Sequence, residues 1–198
     1  MYIRFVVLVA LGMLSVSCAA NRMEVNPLTK DISPIAPSSI TPSFRKTWKC
    51  PSCTPEEKYV LSEIQEHTKI TDRNALATIL GNIKQESNFR ANVCEGGARV
   101  PYDHCYRGGY GIIQWTTASR YNGLGQFADK YGCDPSTLSC QTRYMINERR
   151  FQKHLPAFEV GGQTVTYYMR PAYQWLGWGI KGNRQVFSYN YSQKLVLV

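Results

Sequence analysis

The stretch "TDRNALATILGNIKQESNF", residues 71–89, decides the fold. Thr71 and Asp72 offer a helix cap, and Leu76, Ile79, Leu80 and Ile83 recur at the 3.6-residue period, which predicts a helix running to about Ser87. Glu86 continues the i, i+4, i+7 row of Ile79 and Ile83, so its carboxylate projects from the face that carries the helix into the core. A carboxylate there stays ionised only if it is paired; otherwise desolvation raises its pKa, which is what a proton donor working near neutral pH requires. The plainer alternative is that Glu86 pairs with Lys84, Arg90 or the helix end, or faces solvent at a frayed terminus.

On the N-terminal side, "TPEE", residues 54–57, supplies a cap, a proline at the first helical position and a glutamate at the third. Val60, Leu61 and Ile64 follow at helical spacing, so a first helix precedes the one that carries Glu86. On the C-terminal side the chain changes character: "FRANVCEGGARVPYDHCYRGGYGIIQWT", residues 89–116, is dense in glycine and aromatic residues and reads as loops with a small β-hairpin. Helical signals then return over about 118–131, ended by Gly132, and over 137–155. Two more follow, over 164–175 with an interruption at Pro171, and over 184–194 behind Asn183. No internal repeat is present. The expectation is a mainly α domain over residues 50–198 with a small β-hairpin or loop insertion after the second helix.

Residues 1–20 carry Arg4, a short apolar run from Phe5 to Val16, and then Ser-Cys-Ala-Ala, the pattern of an export signal. The run is short for a membrane-spanning helix. "SVSC", residues 15–18, also resembles a lipoprotein processing box with its leucine one residue early, so lipidation of Cys18, cleavage near Ala19 or Ala20, and an uncleaved signal anchor all stand as readings. Residues 21–49 are rich in Pro, Ser and Thr and read as a tether. The localisation expected is outside the cytoplasm: periplasm or cell envelope, or carried on a virion.

Setting Cys18 aside, six of the seven cysteines fall into close pairs, Cys50 with Cys53, Cys94 with Cys105 and Cys133 with Cys140, which suits three local disulfides in an exported chain. For Cys50-Pro-Ser-Cys53 the competing reading is a redox or zinc half-site; no second CxxC accompanies it, and His67, His104 and His154 are dispersed. The net charge of +9 suits an anionic partner, but Lys and Arg are scattered, and neither zinc-finger spacing nor an aromatic RNA-binding signature is present, so nucleic acid is not expected.

"QESNF", residues 85–89, resembles the Glu-Ser-x-Phe signature that ends the catalytic helix of lytic transglycosylases and goose-type lysozymes. "GGYGIIQWTTASR", residues 108–120, is similar to the Gly-x-x-Gln-Trp segment that follows the catalytic glutamate in the phage tail-tip lysozyme family. The likeness extends more weakly from about residue 55 to 194 and implies a lysozyme-like fold and cleavage of peptidoglycan between N-acetylmuramic acid and N-acetylglucosamine. It further implies that Glu86 is the catalytic acid/base, that Ser87 orients it, that Gln114 lies beside the saccharide, and that Tyr110 and Trp115 offer faces to sugar rings. For Ser87 a simple helix-end role, and for the two aromatics core packing, are the alternatives. Glu95 and Asp103, in the loop tied by Cys94 and Cys105, are the candidates for a second carboxylate that activates water, with ordinary surface positions as the alternative. A lytic transglycosylase needs no second carboxylate, so hydrolase and lyase both remain open.

No cofactor or metal is implied. A metal endopeptidase lacks its ligand set here, and a cysteine peptidase lacks a free nucleophile beside a histidine. The reading from another class is a non-catalytic, exported or virion-associated protein that holds glycan strands on the same fold.

Overall fold

The computed structural model describes residues 47–106 and 108–198, which lie within one compact unit, residues 43–198. The export signal, Cys18 and all but the end of the tether fall outside the described residues. Among those described, the chain is mainly helical, with seven α-helices and one short two-stranded sheet.

The helices begin where the capping chemistry places them. Helix α1 (Pro55–His67) opens on a reciprocal box: Thr54 Oγ1 accepts the Glu57 amide, and Glu57 Oε2 accepts the Thr54 amide at 2.9 Å. Helix α2 (Arg73–Ser87) is capped by Asp72, whose Oδ1 accepts the amides of Asn74 and Ala75. Helix α3 (Ala118–Tyr131) stops at Gly132, which adopts the left-handed conformation that glycine tolerates without a Cβ penalty.

Two expectations are corrected. The predicted helix over 137–155 is two helices, α4 (Leu138–Asn147) and α5 (Arg149–Glu159), broken at Glu148. Glu148 adopts extended backbone, ψ 128°, and aims a buried carboxylate at Arg120, which donates Nε and Nη2 to it at 2.6 and 2.8 Å. Glu148 thus caps both helices with its backbone while its side chain makes a bidentate, charge-assisted pair. Conversely, Pro171 does not interrupt helix α6 (Val165–Leu176). A proline inside a helix costs about 3 kcal/mol, but Tyr168 and Met169 before it and Ala172, Trp175 and Leu176 after it are buried, and their packing holds the helix through.

The regular sheet joins the two ends of the described chain. Strand β1 (Trp48–Lys49) pairs antiparallel with β2 (Val196–Leu197), directly after helix α7 (Arg184–Lys194). Among the described residues, this pairing lies just ahead of Cys50. The insertion after α2 carries isolated bridges instead, Val93 with Arg99, Cys94 with Tyr110 and Tyr110 with Trp115, beside a 3₁₀ turn at Tyr102–His104. All three expected disulfides are present: Cys50–Cys53 ahead of α1, Cys94–Cys105 within the insertion, and Cys133–Cys140 between α3 and α4.

Helix α2 lies at the centre, buried along most of its length and packed most extensively against α7, with α6 and α1 also alongside. The approach of α7 is set by Gly81: a Cβ built there would stand 2.4 Å from the amide nitrogen and hydroxyl of Ser188. Glu57 ties the same region together. Its buried carboxylate accepts Lys84 Nζ at 3.1 Å from α2 and the Tyr191 hydroxyl at 2.5 Å from α7. Burial pushes the Glu57 carboxyl upward, yet the Tyr191 hydroxyl, the Thr54 amide and Lys84 together outweigh it and hold it below the usual carboxylate range.

Two stability outcomes follow from this arrangement. Gly81→Ala gains about 1 kcal/mol of helix propensity but drives α7 off α2, so thermal melting is expected to show a net loss of about 1–3 kcal/mol, the usual cost of overpacking. For Glu57→Gln, the depressed folded-state pKa means that the carboxylate's contribution is fully present above the ordinary glutamate range and is lost as pH falls through the folded value. Denaturant titrations should therefore show the wild type more stable than Glu57→Gln at neutral pH by about 1–3 kcal/mol, with the gap closing as the solution is acidified below the usual carboxylate range.

Candidate active site

Glu86 occupies the last turn of α2, where the helix ends in two successive left-handed residues, Asn88 at φ 53° and Phe89 at φ 61°. The only other non-glycine residue with positive φ among those described is Gln114, at φ 51°. Two of the three, Asn88 and Gln114, line one feature, and Phe89 adjoins Asn88 in the chain. Non-glycine residues rarely adopt this region, and such strained backbone gathers at functional sites when the surrounding fold can hold it. Here the hold is visible: Phe89 is buried against Tyr191, edge to face at 6.3 Å, and the Asn88 amide closes the helix on the Lys84 carbonyl.

The feature is an open groove of about 310 Å³ whose lining includes Glu86, Asn88, Arg90, Gly96, Gly97 and Gln114. The structure thus brings together the two residues on which the sequence resemblance rests most, Glu86 from the helix end and Gln114 from the insertion. Gln114 Nε2 donates to the carbonyls of Gly111 at 2.9 Å and Val93 at 3.3 Å, so its side chain is oriented by the loop and its Oε1 is the atom it can present. The insertion is itself fastened to the helix end, because Ser87 Oγ donates to the Ile112 carbonyl at 2.8 Å. Ser87 is buried and spends its hydroxyl on that tie, which fixes the turn from which Glu86 projects.

Tyr110 and Trp115 are 0% exposed. Tyr110 packs edge to face on Tyr102 and Tyr121, and Trp115 lies against Tyr144 with ring centroids 5.2 Å apart. The expectation that their faces meet sugar rings therefore gives way to core packing beneath the groove wall. Glu95 and Asp103 take the ordinary surface positions that were the alternative to a second catalytic carboxylate. Glu95 is exposed and its Oε2 accepts the Gly109 amide at 2.8 Å, closing the insertion on itself; Gly108 beside it leaves no room for a Cβ. The Asp103 side chain is 77% exposed and sits 3.0 Å from His104 Nδ1. Neither lines the groove around Glu86, where Glu86 is the sole carboxylate among the described lining residues.

The partner of Glu86 is not one that neighbouring sequence suggests. It is Arg184 of α7, whose Nη2 lies 2.9 Å from Glu86 Oε1 and whose guanidinium stands 4.7 Å from the Trp178 ring centroid. The Glu86 side chain keeps 15% exposure. Burial raises its pKa above the usual carboxylate value, and this outweighs the opposing charges of Arg184 and Arg120. The result is a half-buried carboxyl with raised proton affinity, open to a groove, with a fixed cation on one side. Such a group can donate a proton to a leaving oxygen and take one back.

Sequence reading missed Arg184 and the Arg120–Glu148 pair. A signal for the first exists: Arg184, Ser188 and Tyr191 repeat the i, i+4, i+7 pattern, so the arginine sits on the buried face of α7 and demands an anion, as Glu86 demands a cation. For a metal, the described residues bring Glu63, Glu66 and His67 together within 4.8 Å along one side of α1, the ordinary result of i, i+3, i+4 spacing, and this grouping is separate from the groove.

No curated protein and no solved structure matches the chain. The family model described as phage tail lysozyme matches residues 56–172, from the first turn of α1 into α6, and so includes Glu86 and Gln114 while stopping short of α7. With more than half of its length matched, and with Glu86 and Gln114 facing one groove, the chain belongs to the phage tail lysozyme family.

Proposed function

We propose that this protein cleaves the β-1,4 bond between N-acetylmuramic acid and N-acetylglucosamine in peptidoglycan, with Glu86 as general acid and then base. The observation that carries this reading is the raised proton affinity of a single carboxylate facing the groove it shares with Gln114. A glycosidic oxygen is a poor leaving group until it is protonated, and a carboxyl that retains its proton towards neutral pH can supply that proton as the bond breaks. Glu86 gives its proton to the bridging oxygen, the bond from that oxygen to the anomeric carbon breaks, and the carboxylate so formed then removes a proton from the attacking group. If that group is the 6-hydroxyl of the same muramic acid, the product is a 1,6-anhydro end; if it is water, the product is a reducing end.

The groove favours the intramolecular route, since inverting hydrolysis uses a second carboxylate about 6.5–9.5 Å from the first, and the described lining residues include no carboxylate besides Glu86. Gln114 Oε1 can accept a hydrogen bond from a sugar hydroxyl or amide. Asn88 and Arg90 add donors along the same wall. The excess of basic residues, +9 overall, draws the protein towards acidic wall polymers and makes binding salt-dependent. Reaching the wall requires leaving the cytoplasm, which fits an address in residues 1–20, whether that segment is cleaved, lipidated at Cys18 or retained.

The test is mass spectrometry of fragments released from purified peptidoglycan by the wild type and by Glu86→Gln. The amide keeps the shape and cannot deliver a proton, so cleavage should fall by at least about a hundredfold while the melting curve stays intact. Anhydro ends are expected; reducing ends would replace the intramolecular route with hydrolysis. Absence of fragments from both proteins, with retained binding to glycan strands, would replace the enzyme with the binding protein. Because the acid form of Glu86 is the active one and its pKa is raised, the rate should hold to a higher pH than an ordinary glutamate allows and decline as pH rises through the shifted value.

A further inference from the structure

Arg184 is 5% exposed, and among the described residues its buried Nε and Nη1 have no hydrogen-bond partner. Among the described residues the guanidinium makes one polar contact, with Glu86 Oε1 at 2.9 Å, and the Trp178 ring covers it at 4.7 Å. An arginine whose donors are spread among several acceptors is an ordinary structural group. One that is committed to a single carboxylate, with its other donors unpaired, is placed for that carboxylate. Its position is also rigid: Ser188, one turn along α7, lies against Gly81 of α2, so the helix bearing the guanidinium and the helix bearing the carboxyl are locked at close approach.

We propose that Arg184, on the helix beyond the family match, is a positioning residue that pins one oxygen of Glu86 and leaves the other to meet the glycosidic oxygen. This rests on the reading of Glu86 as the acid. The guanidinium also stabilises the carboxylate that forms as the proton is delivered, and so eases the acid step. The site is therefore completed by a part of the chain that the family model does not cover.

The charges facing Glu86 from the packed elements are few. Arg184 approaches from α7 and Arg120 from α3, the latter already held by Glu148 at the junction of α4 and α5. Lys84 and Arg90 line the groove from α2 and the loop beyond it, Lys84 being paired with Glu57. In the insertion, Glu95 is held by the Gly109 amide and Asp103 lies beside His104. Removing Arg184 takes away the nearest cation and leaves burial opposed mainly by Arg120. The proton affinity of Glu86 then rises, and the limb on which activity falls with increasing pH moves to higher pH.

The experiment uses the full chain and compares the wild type with Arg184→Lys and two neutral replacements, Arg184→Met and Arg184→Gln, the second neutral variant guarding against loss of fold in the first. Two readouts are taken: the Glu86 carboxyl titration by ¹³C NMR, and the pH profile of kcat and KM on peptidoglycan. In a folded neutral variant the Glu86 midpoint should rise by about 1 or more on the pH scale. Its kcat at the optimum should fall by roughly 10–100-fold with KM within about twofold, because the acid is no longer held in line. Arg184→Lys should return the midpoint close to the wild-type value and recover only part of kcat, since an ammonium replaces the charge but not the planar fork. An unmoved Glu86 midpoint in a folded neutral variant, or a lysine variant that shifts as far as the neutral ones, would overturn the proposal. The titration needs no turnover, so a wild type that cleaves nothing while Glu86 shifts as expected would overturn the cleavage reading and leave the pairing in place.

Discussion

The close crossing of α2 and α7 is the constraint on which the rest depends. At one level of that crossing Gly81 admits Ser188 without a side chain between them; at the end of α2 Glu86 meets Arg184; and on the outer side Lys84 and Tyr191 converge on Glu57. A buried carboxylate and a buried guanidinium are each costly alone, and each is tolerated because the other is there. The crossing makes that mutual tolerance geometric, since the packing of α2 on α7 holds the two groups 2.9 Å apart.

From this centre the groove is assembled by ties that spend backbone groups economically. Ser87 holds the Ile112 carbonyl. Gln141 of α4 accepts the Ile112 amide at 2.9 Å and donates to the carbonyls of Ala91 and Pro135 at 2.8 and 2.7 Å, so a single buried amide satisfies groups from three segments of irregular chain. Gly111 has to be glycine on two counts: its φ is +76°, and a Cβ would stand 2.3 Å from Gln141 Oε1. These ties, with Cys94–Cys105, allow strained residues such as Asn88, Phe89 and Gln114 to persist beside the groove that Glu86 and Gln114 both line.

Much of this was legible before any coordinates. The capping box at Thr54, the Asp72 cap, the Gly132 stop and the i, i+4, i+7 row ending at Glu86 are local patterns, and local patterns survive because the helix ends they satisfy exist in any tertiary setting. The three disulfides were legible for a similar reason, each joining cysteines close in sequence. The break at Glu148 and the continuous helix across Pro171 were not. In both places a distant group, Arg120 in one and the packed faces of α6 in the other, overrode the propensity of the residues themselves. Tyr110 and Trp115 stayed open between sugar contact and core, because an aromatic beside glycine reads the same whether its ring faces a ligand or the core.

The sequence by itself determined that Glu86 stands on the buried side of a helix end and that a glycine-rich insertion follows it, because periodicity and caps are properties of contiguous residues. Only the tertiary structure decided what that carboxylate is paired with and what it faces. Arg184 lies 98 residues from Glu86, and Gln114 reaches the groove through a loop whose course is set by Gln141, Ser87 and a disulfide. The proton affinity of Glu86 is the balance of burial against two cations brought by other helices, and such a balance exists only once the chain has folded.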